Sequence, residues 1–149
     1  MATTTTVPAV KAALVTLLTS EINDTSVQVM HGRSQDNLVK KRQVVVVGSV
    51  SYASEIANIK AGRKQRDERY SVEVIFLVAK PRGAPEDAET AVWGLFNALE
   101  DVLADDPSLG AIDGLVWATL GAVEADVAME KEGPVAWVTA DVDCYGRLV

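Results

Sequence analysis

Apolar positions near the start of the chain fall at Val10, Ala13, Leu14, Leu17 and Leu18. This i, i+3, i+4, i+7, i+8 spacing gathers them on one helical face and predicts a helix over Val7 to Ser20. Thr6 is placed to cap it, and Pro8 suits its first turn. Residues 1–6 then read as a flexible arm. Asn23-Asp24 breaks the period, and SVQVMHG predicts a short strand that stops at Gly32. Gln43 to Tyr52, QVVVVGSVSY, is β-branched and nearly continuously apolar, which suits a strand buried on both faces.

From Ala53 to Arg69 the pattern lapses. Residues 53–69 are expected to form a long charged loop, with a short helical turn at Ser54 to Ile59. Alternation resumes at Tyr70: Tyr70, Val72, Val74, Phe76 and Val78 share one face, and Ser71, Glu73, Ile75, Leu77 and Ala79 the other. Lys80-Pro81-Arg82-Gly83 ends this strand. A second helix begins at Pro85, with Glu86, Asp87 and Glu89 at the end where the helix dipole favours anions. Ala88, Val92, Leu95, Phe96, Leu99, Val102 and Leu103 form its apolar stripe, and Asp105-Asp106-Pro107 closes it. Two alternating runs follow, Gly114 to Val127 and Pro134 to Val149, with a turn at Lys131-Glu132-Gly133. In the last run Ala136, Val138, Ala140, Val142 and Cys144 are core candidates. Trp137, Thr139, Asp141, Asp143 and Tyr145 point the other way, to water or a partner.

The element order is α-β-β-β-α-β-β. It implies an α+β domain: a mostly antiparallel sheet of four to five strands with two helices on one face. The length of 149 residues suits one domain spanning 1–149, and an apolar fraction of 48% is enough for its core. No apolar run approaches the roughly 18 residues of a membrane span. The N-terminal stretch lacks an early positive charge and is interrupted by Lys11, so it does not read as a secretion signal. The expected site of synthesis is a cytoplasm.

Charge changes the picture more than composition does. The net charge is −7, yet residues 1–82 sum to +5 and residues 83–149 to −12. Two readings fit. The halves neutralise each other within one copy, or the basic face of one copy meets the acidic face of the next in a heterologous contact that can close into a ring. Lys40, Lys41, Arg42, Lys60, Arg63, Lys64, Arg66 and Arg69 form the basic cluster. Asp67 and Glu68 interrupt it and Tyr70 is its sole aromatic neighbour, which suits charge-paired protein contacts better than a nucleic-acid grip. Trp93, beside the helix stripe, and Trp137, on the polar face of the last strand, suit an interface or a partly buried core edge.

Catalytic chemistry has little support. There is no GxGxxG, GxxxxGK[ST] or GxSxG motif. Cys144 is the one cysteine and His31 the one histidine, too few for a structural zinc site, and Cys144 reads as a small buried residue. The pair Asp105-Asp106 reads as a solvated helix end, and Asp141 with Asp143 as the polar face of a strand. No enzyme activity, cofactor or metal is expected.

Against this background GRKQRDERYSVEVIFLVAKP resembles the pre-strand segment and strand of the tail terminator (tail completion) proteins of long-tailed phages. Gly62, Arg63, Arg66, Asp67 and Glu68 lead into Tyr70 to Ala79 and then Pro81. The helix exit Asp106-Pro107-Ser108-Leu109-Gly110, and a strand carrying Trp117-Ala118, are similar too. The resemblance runs from about Gly48 to the C-terminus; residues 1–40 carry no specific match. It implies a homohexameric ring in the virion. The ring caps the head-proximal end of the tail tube, stops its polymerisation and joins it to the head connector or stopper, while DNA passes through the lumen without sequence-specific binding. Arg63, Lys64, Arg66, Asp67, Glu68 and Arg69 would then make assembly contacts, Trp93 and Trp137 would serve interfaces, and Asp141 and Asp143 would face the lumen. A connector adaptor, a tail tube subunit, or a small ligand-binding domain are the alternatives.

Overall fold

A computed structural model describes residues 4–32, 42–60 and 63–149, and of residues 57–60, 63 and 64 the backbone. Met1 to Thr3, Lys40, Lys41 and Gly62 lie outside the described residues. Among the described residues the elements are α1 (Val7–Ile22), β1 (Gln28–His31), β2 (Gln43–Lys60), β3 (Arg63–Ala79), α2 (Pro85–Asp105), β4 (Leu115–Glu130) and β5 (Gly133–Leu148). The five strands form one sheet in the order β1-β2-β3-β5-β4. β1 runs parallel to β2 and every other neighbouring pair is antiparallel. The expected α+β class and element order are therefore those of the molecule.

Both helices pack on one face of the sheet. α1 buries Val10, Leu14 and Leu18 and stops at Asn23, whose left-handed φ of 46° lets its N–H reach back to the Thr19 carbonyl. α2 buries the whole stripe anticipated from its period, Ala88 through Leu103, against β3, β4 and β5. These side chains meet Tyr70, Val72, Val74, Phe76 and Val78 of β3 and Ala136, Val138, Ala140, Val142 and Cys144 of β5 in one core. Phe76 is fully buried and meets Phe96 edge to face at 6.0 Å. Burial of one such side chain contributes about 1.5–3 kcal/mol. The β-branched run of β2 is divided between the faces. Val45 and Val47 join the main core, while Val44 and Val46 pack with Met30 and Ile75 on the other side.

Residues 53–60 and 63–69 are strand, not loop. β2 continues to Lys60 and β3 starts at Arg63, with unbroken ladder pairing from Ala53↔Arg69 to Ile56↔Arg66 and a last pair at Lys60↔Arg63. The helical turn expected at Ser54 to Ile59 is strand as well. The apolar alternation that marks a half-buried strand fades because no helix covers this part of β2: residues 51–56 are all exposed. Backbone pairing persists where side-chain burial does not. The arm is also corrected at its inner end, because Thr6 is buried.

Candidate functional site

The charged run QRDERY, residues 65–70, is part of β3, so its side chains alternate across the sheet. Glu68 and Tyr70 turn to the helix-covered face, and Asp67 and Arg69 to the open face. One sequence cluster is thereby divided into two sites of different character.

On the covered face Glu68 is fully buried. Its Oε1 accepts hydrogen bonds from the Thr6 backbone N–H at 2.8 Å and from the Thr6 hydroxyl. Its Oε2 accepts one from the Tyr52 hydroxyl at 3.0 Å. Thr6 Oγ1 spends its only proton on Glu68, so the Tyr70 hydroxyl, 2.6 Å away, must be donating to Thr6. Thr6 does not cap α1 with its side chain, as had been expected; its hydroxyl serves Glu68 instead. Burial pushes the Glu68 carboxyl up, but the Thr6 hydroxyl and N–H, with help from Thr5 and Tyr52, bring it below the usual carboxylate range. Glycine opposite makes room for it: a Cβ on Gly146, the ladder partner of Glu68, would sit 2.8 Å from Oε1. The expectation that Glu68 makes an outward assembly contact is therefore corrected. It ties the start of α1 to the sheet.

On the open face the pairs run from strand to strand. Arg147 Nε donates to Asp67 Oδ1 at 3.1 Å, and a second Arg147 nitrogen donates to the Tyr145 hydroxyl at 2.9 Å. Partial burial pushes Asp67 up, but the bonds from Arg147 and Tyr145 hold it below its ordinary value. The Arg69 guanidinium lies 4.6 Å from the centre of the Tyr145 ring, and Trp117 flanks that ring at 5.8 Å. Asp143 accepts a hydrogen bond from Ser71 at 2.6 Å. Its carboxylate lies close over Gly121, where an added Cβ would meet Oδ2 at 2.5 Å. Asp141 stands opposite Glu73 in the ladder and is partly exposed. Asp67, Arg69, Asp141 and Asp143 thus share the helix-free face. Arg66 lies at the last rung joining β3 to β5, and the Arg63 and Lys64 backbones continue past it into a two-stranded extension.

Trp93 and Trp137 both line one groove of about 290 Å³, with Glu89, Val92 and Asp126, although Trp137 alternates with buried Ala136 and Val138 and so belongs to the helix-free face. Trp93 is partly buried and meets Phe96 edge to face at 5.2 Å. Cys144 is buried, and burial pushes its thiol up to about 12, which removes nucleophilic character. His31 is on β1, with β2 and β3 between it and the β5 strand of Cys144. Among the described residues no cluster of three or more His, Cys, Asp or Glu side chains is arranged to hold a metal. No described helix is long and apolar enough to cross a membrane. The Asp106 to Gly110 stretch is a backbone device. Asp106 accepts from the N–H groups of Ser108 and Gly110, and Leu109 and Gly110 adopt φ of 51° and 85°. The chain matches no known family model and no curated protein.

Proposed function

We propose that the chain is a structural assembly protein of the tail-terminator kind. Identical copies close head to tail into a ring, six by the resemblance. The ring caps a phage tail tube, ends its growth and joins it to the head connector, with DNA passing through the lumen.

The observation that carries this reading is where the fold puts the two charge excesses. Arg63, Lys64, Arg66 and Arg69 lie on β3, in the half that pairs with the border stretch of β2, while Glu124, Asp126 and Glu130 lie on β4 at the opposite border and six further acids lie on α2. Charges on opposite borders neutralise each other poorly within a copy and well between successive copies. A heterologous contact of this kind repeats until it closes. The helix-free face, with Asp141 and Asp143, supplies acidic groups that would repel DNA if they line the lumen.

Electron microscopy of the purified chain, alone and with tail tubes, tests the reading. Closed rings seated on tube ends are expected. Open filaments would indicate a tube subunit, and particles of a single copy at every concentration would overturn the proposal. Reversal of Arg63, Lys64 and Arg66 to Glu should leave a folded chain that no longer seats on tails.

A further inference from the structure

The sheet has two long borders whose backbone groups face outward, and their direction can be read from two hydrogen bonds. Ala79 N–H donates to Arg42 C=O on the β2 side, whereas Lys80 N–H donates to Pro134 C=O on the β5 side. Odd residues of β3 therefore face β2. Their ladder partners Ser51, Ala53 and Glu55 face inward, and Val50, Tyr52, Ser54 and Ile56 present N–H and C=O to the outside. Pro134 uses its carbonyl toward β3, so its partner Met129 faces outward on β4, and with it Val127, Ala125 and Val123. β1 pairs with β2 only from Val44 to Val47 and leaves Val50 to Ile56 uncovered among the described residues.

Several features mark these two stretches. Each lies between or beyond register shifts, which fall at Val47/Val50 and Ile56/Asn58 on β2 and at Leu115/Trp117 and Leu120/Val123 on β4. Open edges are usually blunted by lysine, proline or a bulge. Val50 to Ile56 and Val123 to Glu130 contain no lysine, proline or register shift, and their charges are the acids Glu55, Glu124, Asp126 and Glu130. The large apolar side chains exposed among the described residues are Tyr52 and Ile56 on β2 and Val116 and Met129 on β4. β4 carries only acids here, Glu124, Asp126 and Glu130, which oppose pairing of β4 with a second β4. The β2 stretch itself carries Glu55, opposite Asp67, and beside it stand Arg69 on the helix-free face and Arg66 on the covered face. Following directions across the sheet, β4 runs antiparallel to β2.

We infer that the β4 edge of one copy adds antiparallel to the Val50–Ile56 edge of the next, so that successive copies share a continuous sheet. This rests on the ring reading and names its interface: main-chain hydrogen bonds between two open strand edges. Ala125 lies level with Val45, through Val138 and Phe76, and not with Ser54. Pairing of the two stretches therefore offsets each copy along the strands and inclines them to the ring axis, the tilt that closing a sheet requires.

The test uses two prolines, Ala125→Pro and Ser54→Pro, at outward N–H positions where an edge strand tolerates the residue. Each variant alone should lose the wild-type multimer in sedimentation while keeping its circular dichroism. Mixed in equal amounts, they should form one-to-one pairs, because each retains the edge the other lacks. A second measurement is independent of how the variants fold. Amide exchange at Tyr52, Ser54, Ala125 and Met129 of the wild type should slow when the chain assembles. If the multimer forms but these amides stay fast, or both variants assemble like the wild type, edge pairing is wrong while the ring stands. If the wild type never multimerises, the ring reading and this inference fall together.

Discussion

From Gln43 to Val47 and from Val72 to Ala79, β2 and β3 carry apolar side chains on the covered face, and α1 and α2 lie over them. From Tyr52 to Lys60 and from Arg63 to Arg69 the same two strands run on past β1. β5 accompanies them only as far as Leu148, opposite Arg66. The first half is held by burial. The second half is held by its ladder, by one buried carboxylate and by cross-strand pairs on the open face. Sequence tolerance should follow the same division. In the inner half almost any polar change costs stability, whereas at the exposed residues 51–56 of the outer half a change should cost little.

The largest expected effect breaks the inner half. Phe76→Ala removes a fully buried ring and should destabilise the fold by about 3–5 kcal/mol in urea denaturation. A loss under about 1 kcal/mol would mean that the core is not centred where the covered face of β3 meets α2.

Glu68 marks the boundary between the halves. Glu68→Gln replaces an acceptor-only carboxylate with an amide whose NH₂ cannot accept, so one of the Thr6 or Tyr52 donors loses its partner. A cost of about 1–3 kcal/mol is expected. The pH dependence supplies a sharper signature. The folded carboxyl is held below its ordinary value of 4.5, so the unfolded chain binds the proton first as pH falls. The stabilisation is complete above about 4.5 and fades as the pH drops below it toward the folded value. Denaturation curves from neutral to acid pH should show this loss in the wild type, and a smaller one in Glu68→Gln. Identical acid sensitivity in both would remove Glu68 from the role assigned to it.

The smallest expected effect on stability belongs to the outer half. Arg63, Lys64 and Arg66 reversed to Glu should each change monomer stability by no more than about 0.5 kcal/mol. A cooperative loss of the native circular dichroism in that triple variant would show that the hairpin extension is part of the folding unit and not a surface for partners.

Legibility in the sequence followed the same division. Every strand and helix backed by side-chain burial was readable from its period, including the stripe of α2 and the core face of β5. The outer hairpin was not, because the reading relied on apolar alternation, and exposed residues 51–56 have no reason to be apolar. The Glu68 site was half legible. Carrying the period of Tyr70, Val72 and Val74 back by two places puts Glu68 on the covered face, but the charge beside Asp67 drew it into the surface cluster. Its partner Thr6 lies 62 positions away and could come only from the fold. The contact between Arg147 and Asp67, 80 positions apart, is of the same kind. Trp93 and Trp137 were singled out one by one, while their shared groove needed the α2–β5 packing.

The outer hairpin is proposed to make the contact between copies. Light scattering of the purified wild type and of the Arg63, Lys64, Arg66 reversal, each over a wide range of concentration, tests it most directly. The wild type should settle at one closed multimer with a single mass, and the variant should remain at the mass of one chain with an unchanged melting profile. A wild type of single-chain mass throughout, or a variant that forms the same multimer, would contradict it.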